Sequence, residues 1–368
     1  MKEHFENIND PRQEWKVEYN LLEIVVMTIC AVISGCEYWE DITDFCKVKE
    51  GWFKERLKLE LKNGIASHDT FQRIFQLIKP EELENSFISW VSSIARKTKG
   101  EIVSIDGKTV RGSRDAKEKA IHMVSAWANA NQLVLGQVKT EEKSNEITAI
   151  PTLIDLLELK ECIVTIDAMG CQQDIAQKIV GQECDYVFGL KDNQPTLHED
   201  VRLYFETAIN DRSLYREVTD VKRLDMGHGR IEQRKYYLST DVEWLEQKDN
   251  WDGLAGIGMV HSIVEKGEKR TEEKRYFITS LTDINDFSSA ARAHWGIENS
   301  LHWCLDVVFH EDACRTRKDN SAENFAVIRH IALNILKNFP AKMSLARKRR
   351  KCEYDSEFMA QVLLSVFG

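Results

Sequence analysis

The sequence contains few residues that interrupt regular structure. Its 368 residues include 5 prolines and 18 glycines, and no segment repeats or has low complexity. Long disordered linkers are therefore not expected. With 43% hydrophobic and 30% charged residues, the chain can bury a sizeable core and is expected to fold as two or three domains.

Disulfides, zinc ligands and membrane spans are also poorly represented. The nine cysteines form no Cys-x-x-Cys pair, and their odd number argues against a disulfide framework. No pair of Cys or His residues has the close spacing of a structural zinc site, so we do not expect one. The longest apolar run, residues 21–33, includes Glu23 and is shorter than the roughly 20 residues of a membrane span. No secretory signal is recognised. We expect a cytoplasmic protein without a membrane partner.

The sequence lacks an excess of positive charge. Its formal net charge of -10 is unusual for a nucleic-acid enzyme, because DNA binding depends largely on Lys and Arg neutralising phosphates. Basic residues are nevertheless clustered, although any single cluster also fits ordinary solvated surface charge. The clusters are Lys108, Arg111 and Arg114; Arg230, Arg234 and Lys235; Arg315, Arg317 and Lys318; and residues 347–351.

Hydrophobic periodicity divides the chain into four segments. Residues 1–99 are predicted to form a helical N-terminal domain. Residues 100–195 contain three consecutive strands followed by strand-helix alternation, an order typical of a ribonuclease H-like mixed sheet with its first and fourth strands adjacent. Residues 196–287 are predicted to form a β-rich insertion, and residues 288–368 a C-terminal helical part with a basic tail. The predicted fold class is α/β, with helices flanking the sheet.

Two acidic residues end strands that such a sheet places side by side. Asp106 follows Val-Ser-Ile and Asp167 follows Val-Thr-Ile. An acid in this position is costly unless it is paired or binds a metal. Each aspartate could instead cap the turn that follows it. Their occurrence together, on the first and fourth strands, favours a metal site.

A third acid lies in a predicted helix after the insertion. His294, Glu298, His302 and Asp306 recur at intervals of four and would share one helix face. The same spacing fits a solvent-facing stripe. Three carboxylates without a Cys or His pair suit Mg²⁺ or Mn²⁺ better than zinc. Two such ions about 4 Å apart can promote in-line displacement at a phosphodiester bond.

Six short motifs occur in order along the chain. They are residues 67–71 (SHDTF), 106–113 (DGKTVRGS), 167–172 (DAMGCQ), 190–194 (LKDNQ), 227–230 (GHGR) and 294–299 (HWGIEN). This set resembles insertion-sequence transposases of the H-repeat-associated group, within the cut-and-paste Asp-Asp-Glu superfamily, over nearly the whole chain. The resemblance implies that Asp106, Asp167 and Glu298 hold two Mg²⁺ or Mn²⁺ ions and catalyse cleavage and joining of transposon-end DNA.

The resemblance also implies partners. Double-stranded DNA, both transposon ends and target, would be bound, with a homodimer forming on the DNA and the protein associated with the nucleoid. The resemblance also implies a set of residues that contact the DNA. They are Lys108, Arg111, Lys191, Asn193, Gln194, His228 and Arg230.

One departure from the wider superfamily concerns the residues around the glutamate. A Tyr, an Arg and a Lys often stand where this chain has Ala291, His294 and Leu305. The terminal phosphate must then be held differently, and the candidates are His294, His302, Arg315 and Arg317. Whether strand ends pass through a hairpin is left open by the same difference.

Two other functions remain compatible with the sequence. One is a nuclease of the same fold that only cuts DNA, and the β-rich insertion favours a transposase over it. The other is a catalytically silent DNA-binding protein descended from a transposase. The presence of all three acids argues against such decay.

Overall fold

A computed structural model describes residues 1–96, 99–114, 119–140, 146–211, 218–227 and 230–367. The fold is α/β, as predicted, and is built on one nine-stranded mixed sheet. No helix in these ranges is both long and apolar enough to cross a bilayer.

The N-terminal helices begin at residues suited to helix starts. The side chain of Asn20 accepts a hydrogen bond from Glu23 N, Ser67 accepts one from Thr70 N, and Pro80 occupies the first turn of its helix. The helices are α1 (Lys2–Phe5), α2 (Leu21–Ile33), α3 (Trp39–Val48), α4 (Glu50–Arg56), α5 (His68–Leu77) and α6 (Pro80–Ile94). Of these, α2 is buried almost throughout, which explains its continuous apolar sequence.

The sheet begins with three antiparallel strands and continues with two strands parallel to the first. These are β1 (Ile102–Thr109), β2 (His122–Ala128), β3 (Leu133–Thr140), β4 (Ile163–Ile166) and β5 (Asp185–Leu190). The connecting helices are α7 (Glu146–Leu156) between β3 and β4 and α8 (Gln173–Gly181) between β4 and β5. As predicted, the first and fourth strands are neighbours, with β1 parallel to β4 from Ile102↔Ile163 to Ile105↔Ile166.

The segment predicted as a β-rich insertion extends the same sheet. After α9 (Pro195–Asn210) come β6 (Val218–Gly227), β7 (Arg230–Ser239), β8 (Gly256–Lys266) and β9 (Lys269–Thr279). The last of these pairs antiparallel with β5, so that the strand order is β3-β2-β1-β4-β5-β9-β8-β7-β6. The extension therefore continues the sheet on the far side of β5 from β4.

The C-terminal helices cover one face of this sheet and join the N-terminal helices. They are α10 (Ile284–Ile297), α11 (Trp303–Val307), α12 (Ser321–Asn338), α13 (Leu345–Tyr354) and α14 (Ser356–Phe367). A five-residue π turn, Glu298–His302, separates α10 from α11, and Trp303 N donates to Glu298 O across it. The sequence predicts one uninterrupted helix here. The extra residue in the turn is absorbed by an i→i+5 hydrogen bond, a geometry frequent at functional sites.

The alternation of side chains along β1 separates two environments. Ile105 and Val103 join the core formed with α7 and α8. Ser104 faces the other way, and its hydroxyl donates to Ala293 O of α10 at 3.4 Å. Asp106 shares the face of Ser104, because residues two apart in a strand point in the same direction. We call these the α7 face and the α10 face of the sheet.

Candidate active site

The first two acids are held by backbone amides at adjacent strands. Gly107 N donates to Asp106 Oδ1 at 2.9 Å. Asp167 directly follows β4 and caps the turn after it, with Met169 N 3.0 Å and Gly170 N 3.4 Å from the same Oδ1 atom. The capping interpretation of Asp167 is thus correct for one oxygen. No hydrogen bond to its Oδ2 is found among the described residues, so capping does not engage the whole carboxylate.

The third acid enters from the π turn. Glu298 is exposed and lines, together with Asp167, a cavity of about 390 Å³. Burial, the neighbouring Asp167 carboxylate and, more weakly, the charges of Glu146 and Glu298 raise the pKa of Asp106 to about 7. The three acids predicted from the sequence therefore occupy one electrostatic neighbourhood.

The carboxylates of Asp106, Asp167 and Glu298 are of the chemical type that binds a hard cation, but they do not already surround a cation site. Among the residues that the structure describes, no three His, Cys, Asp or Glu side chains lie close enough to hold a metal ion. Carboxylate oxygens are the ligands that Mg²⁺ and Mn²⁺ prefer. Catalytic contacts are often looser in the free enzyme than in its complexes.

Two histidines on the acid-bearing helix face the sheet as neutral rings. His302 Nδ1 lies 3.6 Å from Asp106 Oδ2, and His294 Nδ1 hydrogen-bonds Thr165 Oγ1 at 3.1 Å. Burial lowers the pKa of His294 to about 4 and that of His302 to about 3. Because the Thr165 hydroxyl donates to Ser104 Oγ, it accepts from His294, leaving Nε2 of that ring an acceptor. Neither ring therefore offers positive charge to a phosphate at neutral pH.

Lys108, two residues beyond Asp106, is enclosed by carboxylates. Its ammonium lies 2.8 Å from Asp306 Oδ1, 2.8 Å from Glu311 Oε2 and 3.4 Å from Asp312 Oδ1, and its side chain is 10% exposed. Burial opposes the charged form, but Glu311 and Asp306 outweigh it, so that the pKa of Lys108 is raised. The buried Arg329 lies 3.8 Å from the other oxygen of Glu311. We call Lys108, Asp306, Glu311 and Asp312 the lysine cluster.

A second buried pair lies on the α7 face, directly behind Gly107. His122 Nε2 lies 2.5 Å from Glu146 Oε1, and His122 Nδ1 hydrogen-bonds Thr109 Oγ1 at 2.9 Å. A Cβ atom on Gly107 would lie 2.3 Å from His122 Nε2 and 2.4 Å from Glu146 Oε1. Any larger residue at this position would displace the pair, because His122 and Glu146 occupy the space of a side chain.

Of the predicted DNA contacts, some are accessible and some are engaged within the chain. The Arg111 side chain is 82% exposed, while its backbone N–H donates to Asp312. Arg317 Nε donates to Gly112 O at 2.7 Å, whereas Arg315 is exposed. Lys191 is exposed at the rim of the acid-lined cavity, and Arg230 lies 2.7 Å from a Glu232 oxygen. His228 lies outside the described residues.

Asn193 and Gln194 hold the loop that carries Asp167. Asn193 Nδ2 donates to Ala168 O at 2.5 Å, and Gln194 Nε2 donates to Cys171 O at 3.0 Å. Both amide groups thus link the segment after β5 to the turn after β4. Their geometry favours a supporting role for the turn capped by Asp167.

Sequence reasoning missed the buried groups that surround Asp106. His122 and Glu146 are 2% and 5% exposed, and Glu311 is 1% exposed. A signal existed for His122, which begins a mostly apolar strand, and for Glu311-Asp312, which come shortly after the predicted helix. Nothing local connects Glu146 with β1, since the contact arises only from the packing of α7 on the sheet.

Comparisons with known proteins agree over almost the whole chain. A family model described as "Transposase DDE domain" matches residues 97–335, and another described as "DDE_Tnp_1-associated" matches residues 2–91. The chain is 42% identical over 374 residues to "H repeat-associated putative transposase YhhI" of Escherichia coli K12, covering 99% of this chain and 97% of that protein. It is 42% identical over 366 residues to "Putative transposase YncI" of Escherichia coli O157:H7, covering 97% and 93%.

A solved structure of a piggyBac transposase synaptic complex with hairpin DNA shows a weaker likeness. It is 11% identical with a TM-score of 0.41, covering 96% of this chain and 76% of that chain.

Proposed function

This chain belongs to the DDE transposase family, and on that premise we propose that it cleaves and joins insertion-sequence DNA ends at Asp106, Asp167 and Glu298. The observation that carries the proposal is the approach of three acids, from β1, β4 and the π turn, without an ion pair to any described Lys or Arg. Negative charges gathered in this way around the partly buried Asp106 are costly unless a cation neutralises them.

We further infer that β1 to β5 form a ribonuclease H-like core. The order β3-β2-β1-β4-β5, with β1 parallel to β4 and antiparallel to β2, supports this inference. This order places Asp106 and Asp167 on neighbouring strands although they are far apart in the sequence.

The carboxylates Asp106, Asp167 and Glu298 would hold two Mg²⁺ or Mn²⁺ ions. The chemistry supplied by such a bound pair is activation of a water or 3'-hydroxyl and stabilisation of the leaving oxygen in an in-line displacement. The chain itself fixes one oxygen of each aspartate through backbone amides, which leaves the second oxygen for a cation. Asn193 and Gln194 keep the Asp167 turn in place.

For Lys108 we propose a positioning role in place of the DNA contact expected from the sequence. Its ammonium joins β1 to Asp306, which lies in α11 directly after the π turn of Glu298. A Lys held by three carboxylates is not free to neutralise a phosphate. The lysine cluster therefore stabilises the docking of the acid-bearing helix against the strand that carries Asp106.

Double-stranded DNA is the proposed partner, with the protein acting as a homodimer on the DNA in the cytoplasm. The residues proposed to contact phosphates are the exposed ones, Arg111, Lys191, Arg230 and Arg315. Arg317, which is partly exposed, is proposed together with them. His302 lies against Asp106 as a neutral ring and can contact a phosphate only as a hydrogen-bond donor. Contacts by His228 also remain predictions.

A catalytically silent DNA-binding protein is the alternative function. One shorter relative, 46% identical over 74 residues and matching 20% of this chain, is named "Inactive transposase YbfQ". The two functions differ in a single measurable property, which is DNA cleavage dependent on the three acids.

The test uses purified full-length protein and a labelled duplex carrying one end of the element that encodes it. With Mg²⁺ or Mn²⁺ we expect nicking at the element boundary, and none with a chelator. Asp174, exposed on α8, provides the matched control: D174N should cleave like wild type, and D106N should not. Binding without cleavage by the wild type in either metal would favour the silent alternative.

A further inference from the structure

A recess of about 340 Å³ adjoins the acid-lined cavity on the α10 face. The two share Glu273, Arg275 and Trp295. The recess is lined by four arginines and two glutamates, and a third carboxylate, that of Asp225, contacts two of the arginines. Each arginine has a carboxylate partner, but the four positive charges still exceed the three negative ones by one. The arginines are Arg230, Arg234, Arg275 and Arg292.

The strand register of the sheet extension brings these side chains to one face. Residues two apart along a strand share a face, so Arg230 and Arg234 lie on the same face of β7. The same alternation places Arg275 on that face of β9 and directs its neighbour Lys274 to the other. Arg292 comes from α10, and Asn299, which follows Glu298 directly, completes the wall from the π turn.

Arg234 is the group that most clearly calls for a ligand. Its side chain is 6% exposed, and its Nη atoms contact Asp225 and Glu232. Its buried Nε has no hydrogen-bond partner among the described residues. A buried donor without an acceptor costs about 1–3 kcal/mol. An acceptor supplied from outside the chain would remove that cost.

The surroundings of Trp295 distinguish a phosphate from a base as the ligand. The Arg275 guanidinium lies 4.7 Å from the centre of the indole ring and that of Arg234 lies 5.6 Å from it. The indole ring is therefore already in contact with two guanidinium groups, which compete with a base for stacking on it. Guanidinium groups instead suit phosphate oxygens, which they bind with paired hydrogen bonds.

We propose that this recess binds a backbone phosphate of the DNA strand whose cleavage site lies in the adjoining cavity. The inference rests on the proposed function, because that function brings DNA to Asp167 and Glu298. Arg275 lines both spaces, and Asn299 is next in sequence to Glu298. A phosphate in the recess therefore fixes the strand beside the acids and determines which linkage reaches them.

The test is the salt dependence of duplex binding by R292A and R275A, with R270A as the matched control. Arg270 lies on the same strand as Arg275, its side chain is 60% exposed, and it is not part of the recess. Neutralising one phosphate contact lowers the slope of log affinity against log salt by about one unit. We expect that change for R292A and R275A and none for R270A, with unchanged thermal unfolding in all three.

A methylphosphonate scan identifies the phosphate. Replacing one linkage at a time by the neutral analogue should reveal one position that weakens wild-type binding but leaves R292A unaffected. Single abasic sites around that position should have no R292A-dependent effect.

The outcomes separate this proposal from the proposed function. If the wild type shows the expected slope of log affinity against log salt and R292A has the same slope, the recess proposal is overturned. The proposed transposase function is unaffected by that result. A smaller slope for R275A but not for R292A also overturns the recess proposal. Of these two arginines only Arg275 also lines the acid-lined cavity, so the phosphate contact would then lie there. An R292A-dependent abasic site would show base recognition instead of phosphate binding. Absence of any salt-dependent DNA binding by the wild type contradicts both proposals.

Discussion

Two groups of carboxylates lie near the end of β1, and they differ in where their neutralising cation comes from. Asp306, Glu311 and Asp312 surround the ammonium of Lys108 at 2.8 to 3.4 Å. The group of Asp106, Asp167 and Glu298 makes no ion pair with a Lys or Arg in the part of the chain described. His302 Nδ1 lies 3.6 Å from Asp106 Oδ2, but burial lowers the pKa of His302 to about 3 and so keeps its ring neutral.

This difference separates a structural cluster from a site that requires a ligand. In the lysine cluster, Lys108 and Arg329 overcome the effect of burial and lower the pKa of Glu311, whereas burial outweighs Lys108 at Asp306 and raises the pKa of that carboxyl. In the other group, burial and mutual repulsion raise the pKa of Asp106 to about 7. The first group is complete within the chain. We expect the second to be stabilised when positive charge is added, as the proposed metal ligands would be.

The largest expected effect is on catalysis. D106N, D167N and E298Q should each reduce single-turnover cleavage on the order of 10³-fold or more, because each removes a charged ligand while preserving side-chain shape. DNA affinity should change little. Gel-based cleavage at saturating protein measures the rate, and fluorescence anisotropy measures binding. Wild-type rates in any one variant would remove that acid from the site.

Breaking the lysine cluster should mainly affect stability. K108M leaves Glu311 buried without its closest cation and should cost about 3–5 kcal/mol of unfolding free energy, as for other buried pairs broken on one side. Lys139 pairs with Glu323 at 3.4 Å near the surface, so K139M should cost no more than about 1 kcal/mol. Urea unfolding measures both. If the two losses were equal, Lys108 would not be the internal cation of a buried cluster.

The α7 face offers a further test of how closely β1 is supported. G107A introduces a Cβ against His122 and Glu146 and should cost about 1–3 kcal/mol. At Gly181, in α8, a Cβ meets nothing within 4 Å, so G181A should be neutral or slightly stabilising. Thermal unfolding of the two variants gives the comparison. A neutral G107A would mean that the His122–Glu146 pair moves away without cost.

The smallest effect should reverse sign between the two groups. In the presence of a chelator, D106N relieves repulsion among the acids and should raise the unfolding free energy by about 1 kcal/mol, a gain common at functional sites. E311Q removes a charge that Lys108 requires and should lower it. Denaturant unfolding in chelator detects both changes. Destabilisation by D106N comparable to that by E311Q would show that Asp106 already has a partner in the chain.

The sequence predicts the position of the first two acids better than their surroundings. The strand-helix order requires a parallel neighbour for β1, and this brings Asp106 and Asp167 together. The π turn at Glu298–His302 escapes prediction, because a shift from i→i+4 to i→i+5 hydrogen bonds leaves the hydrophobic pattern almost unchanged.

Burial of charged groups was the feature least accessible from sequence. Lys108 looks like a surface cation because its partner Glu311 lies 203 residues away along the chain. The pairing of β5 with β9 is similarly non-local, and with it the recess around Arg234. The positions of Asp106 and Asp167 follow from the order of strands and helices, whereas the partners of the cations depend on how distant segments pack.

The most direct test of the central claim is calorimetric titration of the metal-free protein with Mn²⁺. We predict that the wild type and K139M bind the ion, and that D106N, D167N and E298Q each bind it much more weakly. That result would show that the three acids form the group that requires an external cation. Failure of the wild type to bind Mn²⁺, with or without duplex DNA, or undiminished binding by all three variants, would contradict the account.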